Sequence, residues 1–345
     1  MIRIQNIYYM LAYAFQVLQE LGYKKIETEE FDNTAELCAA ILYHGMISQI
    51  KRGLGKEYIE QTESIPSVRG KINLSESLKT NSLFRKQVVC TYDDFSVNNI
   101  KNRIVKSTIE LLIRSDICKS RKKNLKKILV YLNDVESIDL HTVNWNIHYD
   151  RNNATYRMLV GICYLVYKGL IQTQSDGSSV LMDFFDEQHM HRLYEKFILE
   201  YYKKEHPEIK ASAAQIPWQL DDDRNDMLPV MQSDIYLSRG NNVLIIDAKY
   251  YGHTAQVQYD KHTIHSANLY QIFTYVKNKD VELTGKLHSV SGMLLYAKTD
   301  EEIYPENEYS MSGNTIVVRT LDLNDKFDVI KKQLDGFIEL LSTES

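Results

Sequence analysis

Asp234 and the run Asp247-Ala248-Lys249 are the residues of this chain best suited to chemistry. They flank two short apolar, β-branched runs, Ile235-Tyr236-Leu237 and Val243-Leu244-Ile245-Ile246, with Gly240-Asn241 between them. A Gly-Asn pair between such runs predicts a β-hairpin. With Gly240 and Asn241 as the central turn residues, Arg239 pairs with Asn242, and counting outward sets Asp234 opposite Asp247. Side chains so paired share a face with Cβ atoms about 4.5–5.5 Å apart, and like charges there repel. Lys249, two residues further on, points to the same face. Two facing carboxylates beside an ammonium are a poor structural choice but a good divalent-cation site, of the kind that hydrolyses phosphodiesters. A hairpin with one solvated, charged face would carry the same residues. The unbroken apolar run Val243 to Ile246 favours burial on both faces instead, and a buried Asp is costly unless paired or coordinated. The register matters, because a one-residue change in the loop would move Asp234 off the shared face.

The residues after the hairpin predict a helix from about Ser266 to Lys277. Leu269, Ile272, Phe273 and Val276 recur at i, i+3, i+4 and i+7 as its core stripe. Asn268, Gln271 and Tyr275 form a polar stripe beside it, either a half-buried surface or an amide and a phenol that contact phosphate or orient a ligand. Upstream, a helix from about Glu187 to Lys204 carries Glu195 apart from its apolar face. Glu195 is a candidate third carboxylate, with Arg192 at i−3 as its expected partner. No phosphate-binding loop, nucleophile elbow or zinc-spaced Cys/His cluster is present in the sequence.

These residues need a scaffold, and the chain of 345 residues, 44% hydrophobic and 25% charged, is long enough for two domains. The periodicity predicts helices from Asn6 to about Leu21, with Asn6 as cap, and from Thr34, as cap, to about Lys51. Strands are expected over Tyr58–Thr62, Ser67–Leu74 and Gln87–Tyr92, then helices over Asn99–Arg114, Lys122–Asn133 and Ala154–Ile171. The polar stretch Gln172 to Ser179 reads as a domain boundary, dividing 1–179 from 180–345. Beyond it come a strand near Ala211–Trp218, the hairpin, strands Gly292–Ala297 and Thr315–Leu321, and a closing helix Asp325–Leu341. The fold class is α/β: an α+β amino-terminal region, then a mixed sheet flanked by helices.

No stretch is long and apolar enough to span a bilayer, and Cys38, Cys90, Cys118 and Cys163 read as reduced thiols, so a cytoplasmic protein is expected. The net charge of −5 argues against unaided DNA binding over a basic surface. The densest basic run is Lys119, Arg121, Lys122, Lys123, Lys126 and Lys127. It is either a solvated helix face or a local DNA contact.

Four blocks of this sequence together resemble the McrC family, nuclease subunits of McrBC modification-dependent restriction systems. They are Asn6 to Ala14, Pro66-x-x-Arg69-Gly70-Lys71-Ile72, Asp234 with Asp247-Ala248-Lys249-Tyr250-Tyr251, and His265-Ser266-x-Asn268-Leu269-Tyr270-Gln271-x-x-x-Tyr275. The third is similar to a PD-(D/E)xK motif, although no Pro precedes Asp234, and the fourth to its associated Gln-x-x-x-Tyr helix. The resemblance implies a restriction-endonuclease-like second domain over 180–345 that cuts DNA with Mg²⁺, with Mn²⁺ as a substitute. It also implies a first region over 1–179 that binds a McrB-like AAA+ GTPase ring and stimulates its GTP hydrolysis, the partner bringing in modified DNA. Asp234, Asp247 and the Ala248 carbonyl would hold the cation, Lys249 would orient water or stabilise charge, Gln271 and Tyr275 would position phosphate or the site, and Glu195 would hold a bound water. A stand-alone structure-specific nuclease and a non-catalytic activator of an AAA+ partner are the alternative readings.

Overall fold

Asn6 does not cap the first helix, α1 (Ile4–Ala14), but lies inside it. Its amide donates to the carbonyls of Leu323 at 2.7 Å and Asp325 at 2.8 Å, more than 300 residues away. A buried amide must find partners, and these acceptors replace the local one expected of a cap. The helix ends at Ala14, earlier than the apolar spacing suggests, and a 3₁₀ turn (Gln16–Gln19) follows. The chain forms two compact units, one of Met1–Glu20, Glu27–Phe31 and Met182–Ser345, the other of Leu21–Ile26 and Asp32–Leu181. The units are therefore not the sequential halves 1–179 and 180–345, because the first twenty residues belong with the carboxy-terminal part. The computed structural model describes residues 2–19, 23, 26, 29, 31–149, 153–176, 187–222, 224, 226–250, 256–258, 261–298 and 304–341.

The inserted unit begins with α2 (Thr34–Arg52), whose cap is Asn33: its Oδ1 accepts from the Glu36 N–H at 2.9 Å. Strands β1 (Glu57–Ile65) and β2 (Lys71–Ile72) follow, then a short helix α3 (Leu74–Lys79) and β3 (Val88–Ser96). The sheet is antiparallel in the order β1-β3-β2. The strand expected over Ser67–Leu74 shrinks to two residues, because Asn73 accepts from Glu76 N–H and starts α3 there. Gly70 has φ +68°, and a Cβ on it would sit 2.4 Å from the Thr91 carbonyl oxygen, so the Arg69-Gly70 bend requires glycine. Helices α4 (Ile100–Arg114), α5 (Lys119–Val130) and α6 (Ala154–Asp176) complete the unit. Helix α6 runs on through Gln172 to Asp176, where a polar linker was expected, and positions 177–179 lie outside the described residues.

The other unit joins α1 to α7 (Glu187–Glu205), which pack together: Tyr13 meets the rings of Phe197 and Tyr201 and donates to Glu205 Oε1 at 2.8 Å. Short strands β4 (Lys210–Ser212) and β5 (Gln215–Ile216) replace the single strand expected near Ala211–Trp218. Then come β6 (Met231–Gln232), β7 (Ile235–Arg239), β8 (Asn242–Lys249), β9 (Gln256–Gln258), β10 (Lys261–Thr263) and α8 (Ser266–Glu282). Strands β11 (Ser289–Ala297), β12 (Asn307–Met311) and β13 (Asn314–Leu321) and helix α9 (Phe327–Gly336) close the chain. The main sheet has six strands in the order β12-β13-β11-β8-β7-β4. It is mixed: β8, β11 and β13 run parallel, while β4, β7 and β12 pair antiparallel. The architecture is α/β, as the element pattern predicts.

Strand β8 lies inside this sheet, and every residue from Val243 to Lys249 is buried. Its odd-numbered Val243 and Ile245 join the core that Ile272 and Val276 of α8 form with Leu294 and Ile316. Gly292 on β11 lets the helix approach: a Cβ there would meet Val276 Cγ2 at 2.7 Å and Ile272 Cγ1 at 2.8 Å. By strand alternation Asp247 and Lys249 share the face on which α8 packs. Among the described residues no helix is long and apolar enough to cross a membrane.

Candidate active site

Gly240, at φ +63°, takes the positive-φ turn position, and the pairs run from Arg239↔Asn242 to Ile235↔Ile246. The hairpin register is thus the one the sequence predicts. Asp234 stands one residue before β7, and its Oδ2 accepts a 2.9 Å hydrogen bond from the backbone N–H of Ala248. That amide lies beyond the last β7–β8 pair, so the carboxylate takes the place of a ladder acceptor and is held at the end of β8. Ser233, buried next to it, is anchored in turn, its N–H and Oγ both donating to the Ala214 carbonyl at 3.0 Å.

Asp247 is 1% exposed. Its Oδ2 lies 2.9 Å from Lys249 Nζ, itself buried, while its Oδ1 makes no hydrogen bond among the described residues. Burial, then the neighbouring Asp247 and Glu195 charges, push Asp234 up to about 8, with Lys249 opposing. Asp247 is raised too, chiefly by burial and against the pull of Lys249. Two like charges so close and so dry cannot both ionise without a compensating cation. A buried carboxylate oxygen with no donor, beside a second carboxyl kept protonated by burial and then by repulsion, fits a hard divalent cation with oxygen ligands.

Glu195 is on α7, and its Oε1 is 2.6 Å from His191 Nδ1. The partner is thus His191 at i−4, and not the Arg192 that the sequence suggested. The hydrogen bond to Glu195 raises the His191 pKa above its ordinary value, with burial opposing. Among the described residues no three carboxylate, imidazole or thiol groups converge as a metal cluster. Glu195 lies near enough for its charge to help raise the Asp234 pKa. His191 is the residue that sequence reasoning passed over, and its one signal was the i, i+4 spacing to Glu195.

On α8, Gln271 Nε2 donates to Tyr275 Oη at 3.0 Å, and the Tyr275 hydroxyl donates to the Gln232 carbonyl at 3.3 Å. The chain of bonds ends two residues before Asp234. Asn268 is buried and donates to Tyr296 Oη at 3.0 Å. Tyr296 pairs with Lys249 in the β8–β11 register. The polar stripe of α8 is therefore tied to the strands on each side of the carboxylates. Nothing local announces Ser233–Ala214 or Asn268–Tyr296, which only the tertiary fold brings together.

The geometry can be set beside known proteins. A family model described as McrBC 5-methylcytosine restriction system component matches residues 4–297. The chain is 27% identical over 347 residues to the Type IV methyl-directed restriction enzyme EcoKMcrBC of Escherichia coli (strain K12), covering 99% of this chain and 98% of the relative. Two solved assemblies from Thermococcus gammatolerans are similar. A refined half-complex of McrB AAA+ hexamers with bound McrC is 17% identical, with TM-score 0.48 over 94% of this chain and 76% of that chain. A cryo-EM structure of the McrBC complex is 19% identical, with TM-score 0.42 over 58% of each chain. The family match runs from α1 through the whole of β11 and so takes in both carboxylates, Lys249 and α8. This chain belongs to the family of McrBC 5-methylcytosine restriction system components.

Proposed function

We propose that this chain is the metal-dependent DNA endonuclease subunit of its restriction system, working with an AAA+ GTPase ring of the McrB kind. The observation that carries the reading is Asp247, buried in the centre of a mixed sheet with an unbonded Oδ1 and with Asp234 pinned beside it. Asp234, Asp247 and the Ala248 carbonyl would hold Mg²⁺, or Mn²⁺ in its place. When bound, the ion polarises a phosphodiester and lowers the pKa of water.

The chain's own residues do the rest. Asp234, whose pKa is pushed up to about 8, would release its proton to solvent for the two carboxylates to act together as ligands. Lys249, 2.9 Å from Asp247, would orient water or stabilise charge on the phosphate. Glu195, held by His191, offers an acceptor for a water on the α7 side. Gln271 and Tyr275 brace the segment that carries Asp234.

The GTPase partner is what family membership implies, and the net charge of −5 agrees with delivery to the target site by another protein. Stimulation of that partner's GTP hydrolysis is assigned to the region 1–179. The test is cleavage of methylated plasmid by the chain, its cognate GTPase, GTP and Mg²⁺. Cutting that needs all of these and stops in EDTA supports the proposal. Full-rate cutting without partner or GTP would indicate a stand-alone nuclease, and GTPase stimulation with no cutting at all would indicate a non-catalytic activator.

A further inference from the structure

Helix α5 has the sequence Lys-Ser-Arg-Lys-Lys-Asn-Leu-Lys-Lys-Ile-Leu-Val, with six cations and no acid in a chain whose net charge is negative. The structure sorts these cations, leaving Lys122 half-buried between the two sets. Leu125 and Ile128 are buried, and Arg121 turns inward to Glu36, its Nε 3.1 Å from Oε2. Glu36 is itself buried, and its Oε1 accepts from the Cys118 N–H at 2.7 Å, so this one carboxylate fixes the start of the helix from inside. Lys119, Lys123, Lys126 and Lys127 are exposed, at i, i+4, i+7 and i+8. Val130 and Tyr131, 64% and 59% exposed, extend the stripe at i+11 and i+12. The lysines span about 12 Å along the axis, at 1.5 Å per residue. Among the described residues none of the four forms an ion pair with an acid.

By local criteria this is a bad helix face. Lys119 and Lys123 lie toward the positive end of the helix dipole, with no acid in the first turn and no side-chain cap. Lys119–Lys123, Lys123–Lys126 and Lys123–Lys127 are like-charged neighbours, and each such pair destabilises the helix. A merely solvated face mixes signs and avoids that cost. A row of unpaired point charges at this spacing matches one ligand chemistry well, a run of phosphates, and lysines read phosphate position without reading bases.

We infer that the outer face of α5 is a sequence-independent docking surface for the phosphate backbone of duplex DNA, separate from the carboxylate site. The DNA assignment rests on the nuclease reading above. The occupant is chosen by charge complementarity: a cationic row with an exposed Tyr at its end, on a protein whose remaining surface is acidic in balance.

The experiment is a salt titration of binding to an unmodified mixed-sequence duplex by the full-length chain alone, followed by fluorescence anisotropy in EDTA. Wild type is compared with the combined Lys119→Gln, Lys123→Gln, Lys126→Gln, Lys127→Gln protein and with the same four positions changed to Arg. The Gln protein is expected to lose about 3–4 from the slope of log Kd against log salt, so that its disadvantage shrinks roughly 100-fold between 50 and 200 mM salt. The Arg protein should keep the wild-type slope. Should the fourfold change prevent folding, Lys123→Gln with Lys126→Gln should remove about half the slope change. An unchanged slope, or no measurable binding by wild type at low salt, overturns the inference. So does a Gln protein that binds DNA as wild type but no longer stimulates the GTPase, since the face would then contact an acidic protein surface. Failure here with normal cutting leaves the nuclease reading intact, while the expected slopes without any cutting would leave this surface and remove that reading.

Discussion

The backbone N–H of Ala248 donates to Oδ2 of Asp234 across 2.9 Å, so the residue between the two catalytic-type positions of β8 also holds the carboxylate that faces them. One bond thereby couples the hairpin register to the site. A register slip that moved Ala248 would move Asp234 with it, which is why Gly240 at φ +63° matters to chemistry at the other end of the hairpin. Replacing Gly240 by Val should lower both stability and cutting, whereas Asn, which tolerates positive φ, should be mild in both. Equilibrium unfolding and plasmid cleavage measured on the two variants check this, and equal damage from both would show that the turn conformation is not the issue.

Proton and cation should compete at Asp234. Its folded pKa is raised to about 8 from the ordinary value of 3.8, so the stability held by that proton is complete below the unfolded value and is lost as pH rises through about 8. The metal-free protein should therefore become less stable between about pH 5 and 8, and Asp234→Asn should flatten that trend. Mg²⁺ affinity should rise up to about tenfold per pH unit over the same window below 8, as the proton becomes easier to displace. Thermal melts with and without Mg²⁺ at several pH values report both effects. A metal-induced shift independent of pH would remove the carboxylates from the binding site.

His191 and Glu195 should behave as one unit. Breaking their 2.6 Å contact from either side, with His191→Ala or Glu195→Gln, should slow cleavage by about tenfold, and the double variant should be no worse than either single one. His191→Asn, which can still donate to Glu195, should recover part of the rate. Additive losses in the cycle would mean that the two act separately.

Tyr275→Phe removes a bond to the Gln232 carbonyl and leaves Gln271 without its acceptor. The expected cost is about 1 kcal/mol of stability, with a smaller loss of cutting than any change at Asp234, Asp247 or Lys249. Denaturant titration beside single-turnover cleavage separates these outcomes. A folded, fully stable Tyr275→Phe protein that no longer cuts would instead place the phenol on the substrate.

The hairpin was legible because its signal is local: a Gly-Asn turn, two β-branched runs and a period of two. The α8 stripe was legible for the same reason, at a period of 3.6. Asn6 was misread because its side chain serves carbonyls of the distant Leu323 and Asp325. The continuation of α6 through Gln172–Asp176 shows that a polar composition did not stop a helix already running. The split of the first unit around an inserted one left no mark in the sequence, since it shows in tertiary contacts such as the packing of Tyr13 on Phe197 and Tyr201 and the bonds of Asn6 to Leu323 and Asp325. His191 lay in view but was outweighed by Arg192, whose charge made it the more obvious partner for Glu195.

The most direct test is made on Asp247→Ala together with its cognate GTPase. Two quantities are followed in one reaction with methylated plasmid, Mg²⁺ and GTP: steady-state GTP turnover and double-strand cleavage. The account predicts a folded protein that raises GTP turnover as wild type does and whose cleavage falls by orders of magnitude. Asp247→Ala protein that still cuts at the wild-type rate would show that the buried pair on β8 is structural and that the nuclease centre lies elsewhere.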